Sequence, residues 1–190
     1  WTQVTELLAP SQNFWFGDAV ATDGNTILVA DSQGGPLVSG YAVGAGQVYV
    51  FRKVNGVWTY IHAIQPTNQT PYHRFGNSLA VLGNTIVVGA SGVGFARNYN
   101  DYYYEAGKAY VFVDPNSDGN WTDKTTTVLQ GSSLSQGDGF GTSVLLTNSM
   151  ILIGAPQFGV TGGSGYVDYY DRANLSSRLG TLSGTTGGNT

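Results

Sequence analysis

The sequence predicts an all-β chain: three four-stranded antiparallel units in a row, preceded by one extra strand. Three observations carry this reading. A unit recurs three times, as FGDAVATDGNTILVADS, FGNSLAVLGNTIVVGAS and FGTSVLLTNSMILIGAP, each followed after a loop by GAGQVYVF, AGKAYVF or GSGYVDYY. The Phe-Gly pairs Phe16-Gly17, Phe75-Gly76 and Phe140-Gly141 lie 59 and 65 residues apart, and in each copy an isoleucine (Ile27, Ile86, Ile151) follows the Phe by eleven residues. Fixed internal spacing is the signature of a repeat architecture. The apolar runs are also short and bounded by Gly, Asn and Asp, which suits strands and turns rather than helices.

The elements follow in order. Residues 1–9, WTQVTELLA, read as a strand with no partner before it. Trp1-Thr2 recurs as Trp58-Thr59 and Trp121-Thr122, so Trp1 opens the last strand of a unit. From Phe16, Asp18 to Thr22 form a short strand of small residues, Asp23-Gly24-Asn25 a hairpin signal, and Thr26 to Ala30 a continuous apolar strand. A strand apolar on both faces is covered on both. A Gly-rich loop over 31–45 leads to a third strand at Gln47 to Phe51. Asn55-Gly56 then turns the chain into a fourth, Val57 to Ile64. The second unit has the same plan with a longer loop, roughly 91–106, and an expanded turn at Asp114 to Gly119. The third has three good strands and a weak fourth, Arg178 to Leu182, with no Trp-Thr. Its tail, Gly184 to Thr190, is of low complexity. The resulting divisions are 1–9 as a donated or outer strand, then units at 10–74, 75–139 and 140–190.

Composition bounds the function. The 190 residues are 41% hydrophobic and only 11% charged, with net charge −4 and no cysteine. The absence of a basic cluster argues against nucleic acid and anionic membrane as partners. No apolar run approaches the roughly 20 residues that span a bilayer, so membrane insertion is not expected. Lack of cysteine excludes disulfides, thiolate metal sites and a Cys nucleophile. A surface made of Gly, Ser, Thr, Asn and Tyr rather than charges reads as extracellular or cell-surface.

Repeated four-stranded meanders of this size are what β-propeller blades look like. Phe-Gly, then Gly-Asn-Thr-Ile, then Val-Gly-Ala-Ser or Ile153-Gly154-Ala155-Pro156, resembles the FG-GAP repeat of integrin-α-type propellers and related surface proteins. The resemblance covers almost the whole chain. The first copy departs from it, with Ala30-Asp31-Ser32 where Gly-Ala-Pro belongs. The resemblance implies that Phe16, Phe75 and Phe140 wedge between blades, and Trp1, Trp58 and Trp121 are expected to pack there too. Propellers close with about four to eight blades, and this chain encodes three. It is therefore a fragment, half of a six-bladed ring of two copies, or a unit whose residues 1–9 complete the third blade of the next copy in a filament. Assembly with copies of itself is the favoured reading, since an incomplete third blade would leave an open edge.

Candidate sites are few. Asp114, Asn116, Asp118 and Asn120 alternate oxygen ligands with Gly119 at the sixth position, which is the opening of a calcium loop. The ninth position holds Thr122, and the competing reading is a polar hairpin turn. In integrin-type propellers the calcium loops join the first and second strands, where this chain has only Asp23-Gly24, Leu82-Gly83 and Thr147-Asn148. Calcium is the one cofactor suggested. Tyr99, Tyr102, Tyr103 and Tyr104 lie in the long loop of the second unit. They have the composition of an adaptable surface for a protein or glycan ligand, or for packing on an assembly partner. Asn68, Asn120 and Asn174 head N-glycosylation sequons. No catalytic residue stands out. His62 sits inside a strand and His73 in a connection facing solvent, neither belongs to a triad, and no nucleophile elbow is present. Asp18, Asp138, Asp168 and Asp171 could act together only if folding paired them. The expected function is a non-enzymatic structural or adhesive unit that self-assembles by strand donation. The alternatives are a calcium-dependent ligand-binding part of a larger adhesin and the propeller of a secreted polysaccharide-active enzyme.

Overall fold

The computed structural model describes residues 5–10, 15–34, 45–66, 73–92, 106–133, 137–157 and 163–184. Twelve strands among them form three four-stranded antiparallel meanders, and no helix occurs among these residues. Blade 1 comprises β1 (Val20–Thr22), β2 (Thr26–Asp31), β3 (Gln47–Val54) and β4 (Val57–Ile64). Blade 2 comprises β5 (Phe75–Leu82), β6 (Thr85–Ala90), β7 (Lys108–Val113) and β8 (Thr125–Leu129). Blade 3 comprises β9 (Ser143–Leu146), β10 (Met150–Ala155), β11 (Tyr166–Asp171) and β12 (Arg178–Ser183). In each sheet the strands lie in chain order.

The registers superpose the repeats. Ala30 pairs with Val48 and Val48 with Ile64 in blade 1. Gly89, Ala109 and Leu129 occupy the same row in blade 2, and Gly154, Val167 and Leu182 in blade 3. The turns supply what that register needs. Asn55 (φ 51°) and Gly56 (φ 84°) close the β3–β4 hairpin, both in the left-handed region that a two-residue hairpin of this kind demands. The Asp23 carboxylate accepts the N–H groups of Asn25 (3.0 Å) and Thr26 (2.9 Å), closing β1–β2.

Three expectations change. β1 begins at Val20, not Asp18, because Asp18 is drawn into a turn: its N–H bonds the Trp15 carbonyl, and its carboxylate takes the Ser32 hydroxyl. Thr5 to Ala9 form no strand; Leu7 instead packs half-buried on Val29, Tyr49 and Phe51 of blade 1. A lone strand has no ladder to join, so its apolar side chain settles on the nearest open sheet face. The fourth strand of blade 3 is present, paired along β11 with one bulge at Tyr169/Tyr170. Backbone pairing needs no Trp-Thr, and buried Asp168 pins the strand by accepting the Thr181 hydroxyl at 2.5 Å. The third blade therefore has no vacancy for a donated strand.

The core lies between the sheets rather than within any one of them. One cluster joins Leu28, Val48, Val50 and Ile64 of blade 1 to Phe75, Ile86, Val88, Tyr110 and Phe112 of blade 2. A second joins Val87, Ala109, Val111 and Leu129 of blade 2 to Phe140, Ile151, Ile153 and Tyr166 of blade 3. A third, smaller cluster sits on the outer face of blade 1, around Val29, Tyr49, Phe51 and Phe16.

Candidate functional site at the blade boundaries

Each Phe-Gly stands at the start of a blade, and in blade 2 it forms a bulge. In β5 the register shifts between Phe75 and Ser78, and Gly76 adopts φ 100°. The two extra residues, Gly76 and Asn77, bend the strand and re-aim its side chains. Phe75 and Phe140 are both fully buried in the clusters shared with the preceding blade. The backbone locks the same boundary. Phe75 N–H donates to the Ala45 carbonyl at 3.0 Å, and Phe140 N–H to the Ala106 carbonyl at 2.9 Å. The residues after those acceptors, Gly46 and Gly107, are glycine for a physical reason: a Cβ on either would collide with the carbonyl of the incoming Phe. At Gly89 a Cβ would collide with the Gly141 carbonyl, which accepts the Ser78 hydroxyl at 2.8 Å and the Asn77 amide at 3.1 Å.

Polar bridges tie the turns on one side of the array. The Asp23 carboxylate of blade 1 accepts the Gly83 N–H of blade 2 at 2.9 Å. Arg172 of blade 3 donates to the Leu82 carbonyl at 2.9 Å and the Thr85 hydroxyl at 3.1 Å. Arg52 of blade 1 donates to the Asp118 carbonyl of blade 2. A cleft of about 570 Å³ opens there, lined by Asp23, Arg52, Asn84, Asp114 and Arg172 among others. Its guanidinium groups are already engaged with carbonyl oxygens of neighbouring blades.

The calcium-like loop sits at this cleft, and its carboxylates accept hydrogen bonds from the loop itself. Buried Asp114 uses its two carboxylate oxygens to accept the N–H groups of Asn116 (3.2 Å) and Gly119 (2.6 Å). Asp118 accepts the Asn120 N–H at 2.7 Å, and the Asn116 amide donates to Asp123 at 2.5 Å. The cation in the loop is Arg52. No group of three or more His, Cys, Asp or Glu able to hold a metal occurs among the described residues.

The other sequence-derived residues scatter. Phe16 lies half-buried on its own blade, 5.3 Å from the Tyr49 ring and 6.4 Å from Phe51. Trp121 is buried in the blade 1–blade 2 cluster but precedes β8 in a loop, because the expanded turn delays that strand to Thr125. Trp58 remains half-exposed on the outer face of blade 1, beneath Lys53 Nζ at 6.0 Å. Trp1, Asn68 and the four loop tyrosines, Tyr99, Tyr102, Tyr103 and Tyr104, lie outside the described residues. Asn120 and Asn174 are exposed. His73 is buried rather than solvent-facing, edge-on to Tyr110 at 6.0 Å. His62 is held below its usual value by burial and then by the Lys124 charge. Asp168 accepts Ser132 N–H at 2.7 Å and pairs with Arg178 at 3.4 Å, and Asp138 accepts the Gln157 amide at 3.3 Å. These are structural networks. Asp31, in the departing first copy, is fully buried, and burial raises its pKa against hydrogen bonds from Gln47 and Gly34.

Sequence reasoning missed the carbonyl acceptors Ala45 and Ala106 and the bridging Arg172. The first two had a signal, the small residue and Gly directly before each third strand. Arg172 had none.

The comparisons with known proteins agree with this geometry. The FG-GAP repeat model matches residues 58–112, a stretch that runs from β4 across the first boundary to β7. No curated protein matches the chain. Among solved structures, a europium-containing methanol dehydrogenase is similar with a TM-score of 0.52 at 14% identity, over 90% of this chain. The chain spans 27% of that protein's length. At that identity the likeness speaks to the fold alone: the chain is built of β-propeller blades.

Proposed function

We propose that this chain is a non-catalytic structural or adhesive unit that works outside the cell and joins to copies of itself through the faces of its end blades. One observation carries the reading. Residues in a single register row are buried where a blade follows and exposed where none does: Ile64 is 0% and Leu129 5% exposed, but Leu182 is 59%. Leu145 on blade 3 and Val20 on blade 1 are likewise open, at 54% and 68%. Apolar side chains presented on a sheet face mark an interaction site. The charge-poor composition and the FG-GAP repeat support an extracellular setting, and no helix among the described residues is long and apolar enough to cross a membrane. Because β12 already fills the fourth position of blade 3, face-to-face stacking replaces strand donation as the joining mode.

Light-scattering mass with negative-stain microscopy tests this. Particles of two or more chains, as rings or fibres, are expected. A species of 20.1 kDa at every concentration would end the self-association reading.

A further inference from the structure

The outer face of blade 3 carries a groove of about 440 Å³, lined by Ser143, Gly154, Ala155, Gly165, Val167 and Leu182 among others. The repeat and its registers identify this groove. Gly154 stands where Gly89 stands in blade 2, Gly165 where Gly107 does, and Ser143 where Ser78 does. At the internal boundary Gly89 makes room for the Gly141 carbonyl, and Ser78 donates to that oxygen. At Gly154 the nearest atoms to an added Cβ belong to Ser143 of its own blade; at Gly165 they belong to Ala155 and Pro156, at 3.2 Å. Glycines and a hydroxyl stand on blade 3 at the sequence positions that receive a Phe-Gly elsewhere, with Gly165 outside the positive-φ region that Gly46 and Gly107 adopt, and no described residue occupies them.

The molecule also carries the matching piece. Gly17 has φ 102°, against 100° at Gly76 and 89° at Gly141. Nothing lies within 4 Å of where its Cβ would be. Phe16 is already in the pose of Phe75: each ring sits edge-on to the tyrosine of its own third strand, Phe16 to Tyr49 at 5.3 Å and Phe75 to Tyr110 at 5.2 Å. We infer that Phe16-Gly17 of a second copy seats in the blade 3 groove, with the Ser143 hydroxyl donating to the Gly17 carbonyl and the Phe16 N–H donating to the Ser164 carbonyl. Ser164 precedes Gly165 as Ala45 precedes Gly46 and Ala106 precedes Gly107. The partner is a second copy because its blade 1 face holds apolar side chains in the rows that blades 2 and 3 use at internal boundaries. Val20 takes the row of Leu79, which packs on the first cluster. The contact is heterologous, tail to head, so it closes a ring or runs on as a fibre. This rests on the self-association reading above and names its interface.

The test uses two charge insertions at exposed positions, Ser143→Arg in the groove and Val20→Arg on the opposite face. Both residues are solvent-exposed, so both variants should fold, which circular dichroism checks. Each alone is expected to weaken association by at least about tenfold, as a charge at a packed interface centre does. Mixing them is expected to restore a one-to-one dimer, because each copy keeps one intact face. If wild type assembles and both variants assemble equally well, this interface is wrong while self-association stands. One impaired variant beside one that assembles normally would mean that a single patch meets itself, and two impaired variants that do not complement would mean that each patch meets its own kind; either result overturns it. A monomeric wild type would remove both readings together.

Discussion

Phe75 and Phe16 head two copies of one motif and have two fates. Both precede a glycine near φ 100°, and both stand edge-on to a tyrosine of their own blade. Phe75 is fully buried because blade 1 lies against it; Phe16 is half-buried, and among the described residues it shares its cluster with Leu7 and its own sheet. The motif therefore fixes local backbone and ring pose, and the neighbouring blade supplies the burial. Energy in this fold belongs to boundaries rather than to blades, as in other repeat arrays.

The sharpest way to break the comparison is to truncate the rings. Phe75→Ala or Phe140→Ala should cost about 3–5 kcal/mol of unfolding free energy, the range for a buried aromatic, while Phe16→Ala should cost about 1–2. Urea melts of the three variants measure it, and equal losses would make the outer face of blade 1 a core in its own right. The glycines sharpen the same contrast. Gly141→Ala puts a Cβ into the Lys108 carbonyl, which is backbone and cannot move aside, and should cost about 3 kcal/mol or more. Gly17→Ala meets open space and carries only the strain of positive φ, about 1–2 kcal/mol.

A smaller effect compares two ends of one ion pair on blade 3. Asp168 is fully buried and holds Ser132 and Thr181, whereas the Arg178 side chain is 44% exposed. Asp168→Ala should cost about 2–4 kcal/mol by orphaning those donors, and Arg178→Ala about 0–1. Thermal melts at neutral pH separate them. The least effect concerns pH. Tyr166 and Tyr170, at the blade 2–blade 3 boundary, are pushed up to about 12, chiefly by burial. Because their folded values are raised, their contribution is fully present below pH 10 and is lost as pH rises from 10 through 12. Phenolate absorbance should show Tyr166 and Tyr170 ionising late, together with a fall in stability over that window.

Much of the fold was legible because it depends on spacing. The Phe-Gly pairs, the isoleucines eleven residues on and the Asn55-Gly56 turn are local signals, and local chemistry enforces them. Edge strands are harder to read. β12 needs a backbone ladder and one buried carboxylate, neither of which gives Arg178 to Ser183 an apolar alternation. Residues 5–9 look like a strand but have no ladder to join. Asp114, Asn116 and Asp118 spell an oxygen-rich loop, yet the sequence cannot say that N–H groups and Arg52 take up that loop's oxygens. His73 reads as a connector residue, and its burial against Tyr110 follows from how two blades meet.

The amide protons of Phe75 and Phe140 are bonded across boundaries, to Ala45 and Ala106, rather than within the ladder of their own sheet. Their exchange with solvent deuterium therefore requires two blades to part, even if every strand stays zipped. They act as separate clocks for the two boundaries, readable residue by residue, and the difference between their rates ranks which blade comes away first.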